Sequence, residues 1–382
     1  MSAPKQNERL ALGAEVCRMA TREDNAKLCA LFRETPMKSD VDVVFERDPD
    51  FFTLYDMQRG QAFPYVCEDA EAKSIEALGT IQFRDAFIEK KKQSVAYLGD
   101  LRMTRRVRGG DFLQKYFSVE LKKAFEREKC EVGLTAILRK NVAAKFALVR
   151  RRKSQPNAPF YKKVRGYSIT NVYVLRPKKL KSKLLVRRAT HDDLAAIKLT
   201  LSDDHKARAF GYDFSGDLLE HRLQKWPGLS LNDFFLAFKD DELVGLCAPY
   251  DTQAFKRLRV LSYEGELGKT RRLVNATRLF TGAFALPKEG ACFSYKTLTH
   301  LYVKHQDPNT FGALFNAVYN AHTKKGVHFL SVYVEEGSPF EQVLDPYAKT
   351  LVEADLYTVS LPGSSFNEKE IHEPLGFEMA LV

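Results

Sequence analysis

The sequence predicts an α/β protein, an α+β mixed-sheet fold, built as two tandem units. Three observations predict it. The chain has 382 residues, and domains typically hold about 100–200, so two are expected. Extended apolar runs alternate with helix-periodic stretches along most of its length. The opening segment also recurs: VCRMATREDNAKLCALF and LVRRATHDDLAAIKLTL each give a strand, Arg, Ala-Thr, an acidic cap and an apolar-periodic helix.

Residues 1–13 read as a polar tail and 14–176 as the first unit. VCRMAT (16–21) is a short strand. In 22–35, Ala26, Leu28, Cys29, Leu31 and Phe32 fall at helical spacing behind Thr21 as N-cap. The stretch 41–60 is expected to be a second helical region broken near Pro49. PYVCED and ALGTIQFRDAFI make a hairpin around the polar EAKS. A strand at 94–104, an amphipathic helix at 110–128, a strand at 131–138 and a helix at 141–153 follow, and 160–175 supplies the last strands. The charged, Pro-containing RPKKLKSK leads to a basic linker at 177–183. The second unit, 184–382, repeats the opening plan over 184–201. It continues with a hairpin around Asp240-Asp241, a strand at 296–306, a helix at 310–326 and a strand at 327–336. Trp226, the single tryptophan, is expected to be a buried or semi-buried anchor.

Hydrophobic content of 45% and aromatic content of 12% are those of a globular chain. No apolar run approaches the roughly 20 residues of a membrane helix. The polar opening MSAPKQNERLALGAE has no signal-peptide core, so a cytoplasmic location is expected. The six cysteines are scattered with no close pair, and the eight histidines form no ligand cluster, so no metal is expected. The net charge of +11 is unevenly spread: Arg139 to Lys183 holds fifteen Lys/Arg and no Asp or Glu. Such a stretch attracts phosphates, whether of a cofactor or of a nucleic acid, or it is simply a solvated basic face.

The run YLGDLRMTRRVRGGDFLQKYF sets Arg102, Arg105, Arg106, Arg108 and Gly109-Gly110 between a strand and a helix. It reads either as a basic surface turn or as a phosphate cradle. Glycines at a helix start let backbone N–H groups approach phosphate oxygens without a Cβ in the way. The helix N-terminus and the arginine forks add positive charge.

LGDLRMTRRVRGGDFL, NVAAKFAL, ATREDNAKLCALF and the hairpin at 64–88 together resemble the GCN5-related N-acetyltransferase superfamily. The likeness extends to bacterial tandem proteins of that kind, with FERDPDFF, YLGDLR and RGG in the first repeat. It covers about 14–175 well and 184–382 loosely. The resemblance implies acetyl-coenzyme A as cofactor. Its pantetheine arm would pair with backbone at Leu101 and Met103, next to Arg102. Its pyrophosphate would lie on Arg108, Gly109, Gly110, Asp111, Phe112 and Leu113. Asn141 and Ala144 would supply the family's later motif. An amine acceptor, unidentified, would attack the thioester directly in a ternary complex, with a backbone N–H stabilising the oxyanion.

The turn departs from the family's Arg/Gln-x-x-Gly-x-Gly/Ala pattern, because Phe112 and Leu113 are bulky and Asp111 is acidic. Leu148 stands where the family has its Tyr acid, leaving Tyr161 or Tyr167 to substitute. Asp100 and Glu46 are the candidate bases. Each has a structural alternative: Asp100 pairing with a nearby Arg, Glu46 bracing the second helix. The carboxylate of Val382 is a further candidate for reaching the first unit's cleft. In the second unit VKHQDPNTFGALF spaces Gln306 and Gly312 too widely, and Pro308 removes a donor, so that copy reads as degenerate. Two other functions stay open: an aminoacyl-tRNA-dependent transferase using the 139–183 stretch, and a binding protein that keeps the fold without catalysis. Oligomeric state is not legible.

Overall fold

A computed structural model of the chain describes residues 10–12, 15–36, 41–107, 112–150, 158–179, 182–263 and 266–382. The first half holds β1 (Leu10–Leu12), β2 (Glu15–Met19), α1 (Asn25–Glu34), β3 (Val41–Glu46), α2 (Thr53–Asp56), β4 (Gln61–Asp69), β5 (Ile75–Ile88), β6 (Lys91–Met103), α3 (Ser118–Arg127), β7 (Gly133–Leu138), α4 (Val142–Ala144) and β8 (Phe160–Tyr173). The second holds β9 (Leu185–Arg188), α5 (Leu194–Lys206), β10 (Gly211–Tyr212), α6 (Leu218–Lys225), β11 (Phe235–Lys239), β12 (Glu242–Tyr250), β13 (Arg257–Tyr263), α7 (Glu266–Thr281), β14 (Tyr295–Val303), α8 (Pro308–His322), β15 (Phe329–Glu335), α9 (Phe340–Leu344) and β16 (Lys349–Ser360).

The duplication is visible in side chains. In the first half Arg18 grips Asp24 with two bonds of 2.7 Å, and Asp24 accepts from the backbone of Thr21. In the second, Arg187 grips Asp193 at 2.7 and 2.8 Å, and Asp193 accepts from Thr190. The recurring Arg–Ala-Thr–Asp pattern is therefore a capping box locked to the preceding strand.

Among the described residues, fourteen strands form one sheet, with path β1-β2-β4-β5-β6-β7-β16-β8-β15-β14-β12-β11-β9 and β10 against β5. The two halves exchange their last strands. β16 pairs antiparallel with β7 of the first half, and β8 pairs antiparallel with β15 of the second. The two exchanged strands pair with each other. No periodicity argument sees this, because every strand keeps its local pattern and only the partner changes.

The exchange also accounts for much of the basic stretch. β8 lies between two strands carrying carboxylates. Asp355 takes Arg139 at 2.9 Å, Lys163 at 2.9 Å and Lys145 at 3.2 Å. Arg165 meets Glu335 at 3.3 Å, and Lys162 meets Glu370 at 2.6 Å. The backbone of Lys178, in the segment read as linker, is held by Asn316 and Asn320.

Two expectations are corrected. Residues 41–46 are strand, not helix, and pair with β13 from the far half, leaving only α2 helical in 41–60. The cysteines do include a close pair. Cys17 and Cys67 are directly opposed on β2 and β4, with sulfurs 3.2 Å apart. Trp226 is buried, as expected.

Candidate active site

The site begins with an irregularity in β6. Gly99 opposes Thr80 and Arg102 opposes Leu78, so Asp100 and Leu101 together face the single residue Gly79. This is a β-bulge, and Asp100 takes the left-handed conformation there (φ 51°). Gly79 has no room for a side chain, since a Cβ would lie 2.6 Å from the Phe117 ring. The bulge turns Asp100 and Arg102 toward α1 and α2, while Leu101 and Met103 pack on the α3 core.

The neighbouring strand then departs. β6 and β7 pair in parallel at Ala96–Gly133 and Tyr97–Leu134. Thr135 Oγ1 donates to the Leu98 carbonyl at 2.8 Å. Beyond Leu98 the edge of β6 facing β7 pairs with no strand among the described residues. A stretch of backbone donors and acceptors is left for another partner.

The turn that follows is braced. Thr104 N–H donates to the Glu76 carbonyl at 2.9 Å, and Arg106 forms an ion pair with Asp69. The Asp69 carboxyl is held below the usual range by the Ala72 N–H first and then by Arg106. Arg108, Gly109, Gly110 and Asp111 lie outside the described residues. Phe112 is buried, its ring against Tyr116 and Phe117, and Leu113 packs on the same core. Their backbone opens a π-turn at Phe112–Phe117 that leads into α3. The Asn141 side chain accepts from Ala144 N–H at 3.1 Å and so caps α4.

The proton-transfer candidates fall in different places. Asp100 accepts from the Tyr55 hydroxyl and stands 3.3 Å from Arg47 Nη1. Arg47 is 1% exposed, under the rings of Phe51 and Tyr55. Burial, then the Asp100 charge, pushes the Tyr55 hydroxyl well above its ordinary pKa, so Tyr55 stays a donor. Lys256, before β13, lies within electrostatic reach. Burial, then Arg47, brings its ammonium down to about 7. Arg47, Tyr55 and Lys256 were not singled out from sequence. Only Arg47 carried a signal, inside FERDPDFF.

Glu46 is held by Arg259 of β13 through both carboxylate oxygens. It braces β3 on β13, not the second helix. Tyr161 stands on β8 opposite Val359, packed on the α3 core, with burial raising its pKa. Tyr167 packs between Tyr333 and Phe377.

Two cavities lie near the paired ends of β6 and β7. The inner one, about 20 Å³, is lined by Gln82, Ala96, Tyr97, Leu134 and Val382 among others. The outer cleft, about 370 Å³, lies between the halves. They share Gln58, Arg84, Tyr212 and Leu381 as lining, so they are neighbours. Arg84 stacks 3.7 Å above the Tyr212 ring and donates to the Phe210 carbonyl. At the mouth Lys92 joins Asp85 and Asp213, and Arg59 joins Asp217.

The second half repeats the bulge and fills it. His300 sits at the equivalent position (φ 52°), where the β12–β14 register slips. Its backbone N–H is taken by Glu378 at 3.2 Å. The Asp307 carboxylate accepts from the N–H groups of Asn309 and Thr310, occupying the helix start where a phosphate would lie. In this copy the chain's own carboxylates take both sets of N–H groups.

No protein-family model and no curated protein matches the chain. Solved structures do match in shape. A GCN5-related N-acetyltransferase from Sphaerobacter thermophilus aligns over 99% of both chains, with 13% identity and a TM-score of 0.55. Saccharomyces cerevisiae N-myristoyltransferase with bound myristoyl-CoA covers 99% of this chain and 94% of its own, with 10% identity and a TM-score of 0.62. The chain has the GCN5-related N-acetyltransferase fold, as the resemblance implied.

Proposed function

We propose that the chain is an acyl-coenzyme A-dependent N-acyltransferase. The donor lies along Leu101 and Met103 at the parted strands, and an amine acceptor enters through the cleft between the halves. The observation that carries this is the parting of β6 from β7 beyond Leu98. The acetyltransferase fold and the myristoyl-CoA of one structural neighbour support a coenzyme A thioester there. The turn at Arg108, Gly109, Gly110 and Asp111, with the backbone of Phe112 and Leu113, takes the pyrophosphate in this reading. The α4 start at Asn141 and Ala144 borders the groove. The amine attacks the thioester carbonyl, the oxyanion takes a backbone N–H of the bulge, and coenzyme A leaves as the thiol once protonated. Asp100, at the bulge in β6 next to Leu101, takes the proton-transfer role in this reading. Residues 14–176 form the donor-binding unit, 177–183 the linker, and 184–382 a unit that walls the acceptor side.

Calorimetric titration with acetyl-coenzyme A and with a long-chain acyl-coenzyme A tests this. Micromolar binding of a thioester is expected, and it should disappear in an Arg108→Glu, Gly109→Glu variant that stays folded. If neither thioester binds, the reading fails. Binding without thiol release across an amine panel would favour the non-catalytic alternative. The tRNA-dependent alternative draws less support, because much of the basic stretch already faces Asp355, Glu335 and Glu370.

The acceptor path has its own test. Gly216 lines the outer cleft, and a Cβ there meets nothing within 4 Å. Gly216→Trp should therefore fold and crowd the cleft. Acceptor KM is expected to rise at least about tenfold, roughly 1.4 kcal/mol, while thioester affinity holds. Equal loss of both would place the acceptor elsewhere.

A further inference from the structure

The two halves differ in one large respect. β5 and β6 are joined by the tight turn Glu89-Lys90. Their counterparts β12 and β14 are separated by 251–294, which holds β13 and α7. β13 joins the body of the protein through β3. α7 has no such role in the sheet.

One side of α7 is held down. Asn275 exchanges hydrogen bonds with the backbone of Leu286, and Arg271 donates to the Pro287 carbonyl at 2.9 Å. Elsewhere its apolar residues face water: Leu273 is 64% exposed, Leu279 83% and Phe280 75%, with Phe284 just beyond the helix at 51%. Leu273, Ala276 and Phe280 fall at i, i+3 and i+7, so they share a face. Large apolar side chains grouped this way on a clamped helix mark a surface that meets something.

Charge says what. From Glu266 to Glu289 there are five Lys/Arg and two Glu, the latter only at the two ends. Other elements add cations at the end of the helix: Arg176 abuts Gly282, and Phe284 lies against Gly326, next to Lys325. A second copy would set this charge against itself. An anionic lipid surface instead offers phosphates to the cations and an acyl boundary to the Leu and Phe side chains.

We propose that α7 and the Phe284 segment form a membrane-docking face that seats the protein on anionic phospholipid. The inference stands apart from the acyltransferase reading, since neither donor nor acceptor takes part. Co-sedimentation of the full chain with phosphatidylcholine–phosphatidylserine vesicles, and with phosphatidylcholine alone, tests it. Binding is expected only with phosphatidylserine. It should weaken at least about tenfold in Leu279→Glu, Phe280→Glu and several-fold in Arg278→Glu, with thermal unfolding unchanged because the side chains are exposed. No binding to anionic vesicles would overturn the proposal. So would weakening by Arg278→Glu with none by the apolar pair, which would mean attraction by net charge alone. A self-association in ultracentrifugation that the apolar pair abolishes, without vesicle binding, would make the face a contact between copies and overturn it as well.

Discussion

Replacing Arg222 with alanine is expected to lower stability by about 3–5 kcal/mol, the usual cost of stranding one partner of a buried ion pair. Arg222 is 2% exposed, stacked on Tyr212, Phe214 and Trp226. It stands 3.7 Å from Glu378 and 2.9 Å from His300 Nε2. A guanidinium only donates, so His300 Nε2 accepts and Nδ1–H turns to Thr299 Oγ1 at 3.0 Å. Burial, then Arg222, keeps this imidazole neutral far below its ordinary pKa. Burial raises the Glu378 carboxyl, and Arg222 opposes the rise. A raised carboxyl keeps a proton in the folded chain that the unfolded chain has released. Its contribution is therefore lost as pH rises above the ordinary carboxylate range. Without Arg222 the rise is larger, so the destabilisation should be greater at pH 8 than near pH 5. Urea unfolding at both values checks this, and Glu378→Gln in the Arg222→Ala background should recover part of the loss. A pH-independent loss with no recovery would mean that Arg222 acts through packing alone.

The duplication was legible because its signal is local. Arg18 and Arg187 each sit six residues before the Asp they grip, within one strand–helix junction. What escaped was long-range. VDVVF has a run short enough for strand or helix, and its strand partner, β13, lies more than two hundred residues away in an insertion. Cys17 and Cys67 looked scattered because the long-range register of β2 on β4, not spacing, brings them together. The exchange of β8 and β16 turned an apparent linker charge run into an interface. Arg47 and Lys256 illustrate the limit at the site. A cation in a half-apolar context reads as surface, and only the assembled fold buries Arg47 against Asp100 and brings Lys256 within their electrostatic reach.

Asp100 is where the duplicated halves diverge most usefully, and its substitutions should separate backbone from charge. Asp100→Gly removes the carboxylate but suits a φ of 51°. It leaves Arg47, 1% exposed, without its only carboxylate among the described residues, and it frees the Tyr55 hydroxyl. A loss of about 3 kcal/mol is expected from breaking that buried pair. Asp100→Ala should lose about 1–2 kcal/mol more, because a Cβ without a polar group is unfavourable in the left-handed region. Asp100→Asn keeps the shape and tolerates the conformation, so it should be the mildest for folding. Activity should rank differently. If Asp100 moves the acceptor's proton, Asn and Gly are equally poor in kcat, and the acid limb of the pH–rate profile goes with it. If Asp100 only holds the bulge, Asn retains most of kcat and the profile keeps its shape. The position thus carries two separable loads, a backbone kink that parts β6 from β7 and a carboxylate that anchors Arg47. His300 shows that the fold keeps the kink when the carboxylate is gone.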